Sequence, residues 1–145
     1  MATWDQFCAV APTAGGKELS PAAWVFDLPG VDEGRTQKVF VFYEVIQPAF
    51  GIVRVSSPVA AIADVDVESV LKSFGQLLVG GIGYSPDFAD DGHSFGGFLT
   101  IASSVPLAAL DLSDATQFLL YLFILAKAAD DVELKISSTG AIDPF

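Results

Sequence analysis

PLAALDLSDATQFLLYLFILAKAADDVE, residues 106–133, is the stretch of sequence that decides the fold. Helix signals stand at its start, where Asp111 and Ser113 can accept backbone N–H bonds as N-caps and Asp114 suits the positive end of the helix dipole. Residues 118–126 are then apolar without interruption, so apolar side chains spread well beyond one helix face. The pattern predicts a helix that is covered on more than one side, by the rest of the domain and by a partner or a closing element.

The composition restricts the partners that the chain can have. Its 18 acidic and 7 basic residues give a net charge of −11, and 52% of the residues are hydrophobic. Nucleic-acid affinity depends on Lys and Arg that neutralise phosphates, so we expect neither nucleic acids nor anionic membranes as partners. The charge suits cationic or amphipathic polypeptides, although it could equally serve solubility alone.

Length and segment patterns predict one intracellular domain. The chain has 145 residues, which fit a single domain over 1–137 and a tail over 138–145. Its apolar runs fall short of the roughly 18 residues that cross a bilayer, so no membrane span is expected. The first residues lack the pattern of a secretory signal, and Cys8 is the single cysteine, which excludes an intramolecular disulfide. These features favour a cytoplasmic location.

The order of elements predicts an α+β fold. The pattern indicates a short helix over 5–10, strands over 23–26, 38–47 and 52–61, a helix opened by Asp64 and Asp66, strands over 82–85 and 94–105, and the long final helix. Residues 132–136 fit either a last helical turn or a short strand. We expect an antiparallel sheet of about five strands with helices packed on it, in the order α-β-β-β-α-β-β-α.

Residues that could perform catalysis are sparse. His93 is the single histidine, and we interpret it as an exposed residue of the acidic loop 87–93. This loop resembles the start of a calcium site, but Ala89 and Phe98 occupy positions where oxygen ligands are required. Gly80 to Gly83 follows a predicted helix and not a strand, unlike a dinucleotide-binding turn. We therefore expect no catalytic residues, no metal and no cofactor, and the chain is predicted not to be an enzyme.

One acidic pair has no local explanation. Asp130 and Asp131 lie near the C-terminal end of the predicted final helix, where the helix dipole disfavours negative charge by a few tenths of a kcal/mol. A cost this small is compatible with an ordinary surface pair.

The element order and the final segment together resemble the YbjN family, which shares the fold of type III secretion chaperones. The residues that carry the resemblance are Leu99, Ile101, Val105-Pro106-Leu107, Leu110, Ser113, Phe118, Leu122, Ala126 and Ala129-Asp130. The resemblance implies a bacterial, non-catalytic homodimer that presents a sheet and apolar grooves to an extended polypeptide. The first helix is shorter than in such chaperones, and the loop over 29–34 is longer, which favours a divergent binding module.

The sequence also suggests where a partner would bind. The β-rich stretch 39–45 can accept an added strand if it reaches the edge of the sheet. The candidate interface residues are Phe40, Phe42, Leu119, Tyr121, Phe123 and Ile124. The leading hypothesis is a protein- or peptide-binding module, chaperone-like or regulatory. The alternatives are a small-ligand site or enzyme that uses the loop 87–93, and a structural subunit of a larger assembly.

Overall fold

A computed structural model of the chain describes residues 2–47, 50–74, 80–84, 89–90, 93–94 and 97–139. The helices are α1 (Trp4–Val10), α2 (Val67–Phe74) and α3 (Ala115–Thr139). The strands are β1 (Lys17–Ser20), β2 (Ala23–Pro29), β3 (Thr36–Gln47), β4 (Phe50–Ala61), β5 (Gly81–Tyr84), β6 (Ala89–Asp90), β7 (His93–Ser94) and β8 (Phe98–Pro106). Short 3-10 turns follow α1, β4 and β8.

The main sheet has six strands in the order β1-β2-β3-β4-β8-β5, and all neighbouring strands are antiparallel. β6 and β7 form a separate antiparallel pair. The predicted α+β class, with helices packed on an antiparallel sheet, is confirmed. The sequence pattern missed β1, because the alternation in KELS is too short to stand out from the turns around it.

The core lies between α3 and one face of this sheet. Phe118, Leu122, Leu125 and Ile136 on α3 are almost fully buried against strand residues such as Val39, Val41, Val53 and Val55. Val25 and Phe40 point to the other face of the sheet and are buried as well. Burial on both faces explains why KVFVFYEV is almost continuously apolar instead of alternating with polar residues.

α1 is fixed to the sheet by its aromatic side chains. Thr3 and Gln6 form a reciprocal capping box at its start. Trp4 stacks between Phe7 and Tyr43 at centroid distances of 4.6 and 4.7 Å, and its Nε1 donates to the carbonyl of Pro21 at 2.8 Å. This contact places α1 beside the part of β3 that continues past β2.

The ends of α3 differ from the prediction. The helix begins at Ala115, and Asp114 accepts the N–H of Thr116 at 2.9 Å, so Asp114 is the N-cap. The prediction of Asp111 and Ser113 as caps is wrong: Asp111 binds the N–H and hydroxyl of Ser113 in the turn before the helix.

The other end of α3 resolves the open alternative for residues 132–136, which are helical. The helix runs past the predicted tail boundary at 138 to Thr139, and residues 140–145 lie outside the described part. The predicted end of the second helix before Gly80 also falls partly on residues 75–79, which are outside it. No helix within the described ranges combines the length and the apolarity that a membrane span requires.

Candidate functional site

The outer face of α3 carries exposed apolar side chains. Leu122 and Leu125 are fully buried against the sheet, whereas Leu120 is 57% exposed and Ile124 is 46% exposed. Leu120 and Ile124 are four residues apart, so they lie next to each other along one line of the helix. We call this pair the α3 stripe. The sheet therefore covers one side of the apolar helix and leaves the stripe exposed.

The structure separates the six predicted interface residues. Ile124 is exposed, while Leu119, Tyr121, Phe123 and Phe42 are half-buried. The Tyr121 hydroxyl lies 3.1 Å from Ser103 Oγ, which ties this ring to β8. Phe40 is fully buried and stacks on Phe42 at 6.2 Å. The prediction that Phe40 is available to a partner is therefore corrected, because Phe40 is paired with Val25 and Ser56 of the neighbouring strands and its ring has no exposed surface.

The β3–β4 hairpin extends past both neighbouring strands. Pairing of β2 with β3 ends at Ala23 and Phe42, followed by one bond from the N–H of Tyr43 to the carbonyl of Ala22 at 2.9 Å. β3 continues to Gln47 with β4 alone as its partner among the described strands. The side of residues 44–47 that faces away from β4 is called the free β3 edge below.

Val45 directs its main chain to this edge. Main-chain groups alternate in direction along a strand, so Val45 points its N–H and C=O to the same side as Tyr43. Most of the predicted strand-addition stretch 39–45 lies inside the sheet, between β2 and β4. Only its last residues reach an edge where another strand could pair.

Apolar side chains surround the free β3 edge. Val45 is 55% exposed, Ile46 is 65% exposed and Phe50 is 50% exposed. A cleft of about 220 Å³ lies between this hairpin end and α1, and its lining includes Trp4, Tyr43 and Val45. The prediction missed Ile46 and Phe50. The adjacent apolar residues Val45 and Ile46 could have indicated an exposed apolar surface at this end of the strand, since strict alternation would place a polar residue at one of the two positions.

Gly51 shapes the cleft wall. A Cβ built on Gly51 would lie 2.6 Å from the ring of Tyr43, so the tyrosine ring packs directly over the glycine backbone of the next strand. The ring in turn stacks on Trp4. The glycine thus permits the aromatic contact that holds α1 at the side of the cleft.

A second constellation explains the acidic pair at the end of the final helix. Asp130 is fully buried, and its carboxylate accepts bonds from Arg35 Nη2 at 2.6 Å, from Arg35 Nε at 2.9 Å and from the N–H of Val31 at 2.7 Å. Lys127 Nζ donates to the carbonyl of Gly30 at 2.8 Å. These bonds fasten the loop 30–35 to α3, and we call them the loop latch.

The electrostatics of the latch follow from this geometry. The hydrogen bonds from Arg35 hold the pKa of Asp130 below its ordinary value, against the effect of burial, and they raise the pKa of Arg35. Partial burial raises the pKa of Glu133, whose Oε2 lies 3.7 Å from Arg35 Nη2. Asp131 pairs with Lys135 at 2.7 Å on the helix surface. The two neighbouring acids thus have separate structural partners.

The predicted acidic loop 87–93 lies largely outside the described residues. Residues 85–88, 91–92 and 95–96 lie outside the described part, and within the loop only the backbone of Ala89, Asp90 and His93 is described. Among the residues that are described, no three His, Cys, Asp or Glu side chains lie close enough to hold a metal ion.

Comparison with known proteins identifies no family. No protein-family model matches the chain, and no curated protein matches it. The resemblance to the YbjN family therefore stays a prediction from sequence.

Proposed function

We propose that this chain is a non-enzymatic protein-binding module that takes up an extended polypeptide at the free β3 edge. The observation that carries the proposal is a strand edge that no other described strand pairs with, flanked by exposed Val45, Ile46 and Phe50. Main-chain hydrogen bonds to Val45 would supply affinity, and side chains on alternate residues of the peptide would contact the apolar groups beside it. A chaperone-like or regulatory role in a bacterial cytoplasm, as in the YbjN family, belongs to the same proposal.

The partner is expected to be basic as well as apolar. The chain carries a net charge of −11, which attracts positively charged segments over long range. An extended peptide that alternates apolar and basic residues would present its apolar side chains to one face of the hairpin end and its charges to water. Such a segment would match both the exposed apolar side chains beside the edge and the negative charge of the chain.

The decisive variant is Val45→Pro. Proline removes the N–H that faces the free β3 edge and leaves the bonds between β3 and β4 unchanged, because Val45 does not donate to β4. We expect a labelled ten-residue peptide of alternating valine and lysine to bind the wild type, and to bind the variant roughly tenfold more weakly or worse, since the bond is lost and the ring obstructs pairing. Fluorescence anisotropy measures both affinities.

Two controls separate strand addition from charge attraction. The same peptide with every main-chain nitrogen methylated keeps its charge but loses all its main-chain donors, so it should bind weakly to the wild type. Ile46→Lys should weaken binding, whereas Leu71→Lys, at an α2 residue that is 48% exposed, should not. Equal affinity of wild type and Val45→Pro, or equal affinity of the two peptides, would refute the proposal.

We further propose that the α3 stripe joins two copies of the chain. Leu120 and Ile124 form an apolar line on the outside of a helix that is 25 residues long, which gives a second copy a matching surface for antiparallel packing. Such a dimer would leave the hairpin ends free for polypeptides. A structural role in a larger assembly would use the same stripe against a different protein.

Light scattering tests the dimer. At tens of micromolar we expect a mass twice the 15.3 kDa of one chain, and 15.3 kDa for the double variant Leu120→Asp/Ile124→Asp, because two carboxylates would be buried at the interface. Leu71→Asp should remain dimeric. A wild-type protein that is monomeric under these conditions contradicts this part of the proposal.

A further inference from the structure

The cleft beside the free β3 edge lies on the face of the sheet that carries α1. Side chains alternate between the two faces of a strand, so Val45 points to the same face as Tyr43. Trp4 of α1 stacks on Tyr43, and the cleft of about 220 Å³ lies between α1 and the end of the β3–β4 hairpin. Val45 therefore belongs both to the lining of the cleft and to the free β3 edge.

A strand added at this edge would bring one side chain to the cleft. Residues directly opposite each other in paired strands lie on the same face of the sheet, with Cβ atoms about 5 Å apart. The peptide residue opposite Val45 would thus point to the α1 face, while its two neighbours in the peptide would point to the other face. The side chain of Val45 is 55% exposed, so this position beside it is open to a partner.

The lining of the cleft is uncharged and aromatic. None of the described residues that line it carries a charge, and three of them are the aromatic residues Trp4, Tyr43 and Phe50. Trp4 is stacked on one face by Phe7 and on the other by Tyr43, so its ring edge is the part left to line the cleft. The edge of an aromatic ring attracts the negative face of another ring. The cleft therefore suits an aromatic side chain better than the lysines of a basic peptide.

The volume of the cleft fits one large side chain. Sites for small molecules usually enclose roughly 300–1,000 Å³, and this cleft is smaller, at about 220 Å³. A valine opposite Val45 ends one bond beyond its Cβ and would leave most of the cleft empty. A phenylalanine at the same position reaches several bonds farther and would bring its ring to the edge of Trp4.

We propose that this cleft selects an aromatic side chain at the peptide residue opposite Val45. The inference rests on the proposed strand addition and specifies its partner as an extended, basic segment with an aromatic residue on its apolar side. The ring fills the cleft while the main chain of the peptide pairs with β3. Pairs of aromatic rings contribute more than the area that they bury, so phenylalanine is preferred to leucine as well as to valine.

Peptides that differ at one residue test this preference. One central valine of the valine–lysine peptide is replaced by phenylalanine or by leucine, and fluorescence anisotropy measures the affinity of each peptide for the 145-residue chain. We expect phenylalanine to strengthen binding roughly tenfold over valine, since it adds both buried area and an aromatic pair. Leucine adds a single methylene group and should strengthen binding by less than about threefold.

Two neighbouring alanines locate the bound ring. Ala108 and Ala109 are both exposed in the 3-10 turn after β8, but Ala108 lines this cleft and Ala109 does not. Ala108→Phe would fill the cleft from the side of β8, so it should bring the ratio between the phenylalanine and valine affinities close to one. Ala109→Phe adds the same group outside the cleft and should keep the roughly tenfold ratio.

The outcomes distinguish this inference from the proposed function. Equal affinities of the phenylalanine and valine peptides, with both bound, would overturn the aromatic site and leave strand addition standing. A leucine peptide that binds as tightly as the phenylalanine peptide, or a ratio that Ala108→Phe leaves unchanged, would also overturn the aromatic site alone. If none of the three peptides binds, strand addition and the aromatic site are refuted together.

Discussion

Replacing Arg35 by alanine is expected to destabilise the protein more than replacing its partner Asp130. Asp130 has no exposed surface, so Arg35→Ala strands a buried carboxylate whose remaining close donor is the N–H of Val31. Asp130→Ala instead leaves a guanidinium that is 36% exposed and can be hydrated. For Asp130→Ala we expect a loss of about 2 kcal/mol in the free energy of unfolding, in the range of hydrogen bonds to charged groups, because no charge stays buried without its partner.

Urea unfolding of four variants measures this order. The double variant Arg35→Ala/Asp130→Ala should be more stable than Arg35→Ala alone, because it removes the stranded charge. Arg54→Ala is the matched control: Arg54 is 42% exposed and lies 3.5 Å from an exposed Glu44, so its loss should change stability by less than about 1 kcal/mol. An Arg35→Ala protein that is more stable than Asp130→Ala would contradict the account of the latch.

The pH dependence gives an independent readout of the same pair. A carboxylate whose folded pKa is lowered stabilises the fold above its unfolded pKa, about 3.9 for aspartate, and that contribution disappears as the pH falls through the folded value. The stability difference between wild type and Asp130→Ala should therefore shrink on acidification below about pH 4. Glu133, whose pKa is raised, acts in the opposite sense: its contribution is present at low pH and is lost as the pH rises through its folded value.

Leu122→Ala is expected to cost about 3 kcal/mol, whereas Leu120→Ala should change stability by less than about 0.5 kcal/mol. Leu122 is fully buried between α3 and the sheet, and Leu120, two residues earlier, is 57% exposed on the opposite side of the helix. The pair differs in environment and not in chemistry. Chemical unfolding at a concentration low enough to favour monomers measures both values, and a large cost for Leu120→Ala would show that the stripe is covered within one chain.

The long periodic elements could be predicted from sequence. The β-branched and aromatic residues of KVFVFYEVIQ are enough to predict a strand, and the long apolar run of α3 is enough to predict a helix. The α+β fold class follows from the order of the predicted elements. The apolar residues on more than one side of α3 follow from residue spacing alone, but a second cover over Leu120 and Ile124, which are exposed, stays a prediction.

The remaining features depend on contacts between residues that are distant in sequence. Arg35 and Asp130 are 95 residues apart, so no local pattern joins the acid to its partner. The burial of Phe40 depends on what covers the second face of the sheet. A sequence pattern gives the period of a strand but neither its neighbours nor the point where pairing ends.

Amide hydrogen exchange of Val45, measured by NMR with and without the valine–lysine peptide, tests the central claim most directly. Strand addition at the free β3 edge predicts that the Val45 N–H becomes strongly protected at saturating peptide, because it then donates to the added strand. The N–H of Glu44, which faces β4, should change little. Saturating peptide that leaves Val45 exchange unchanged, or that protects only amides of other elements, would contradict the claim that this edge is the binding site.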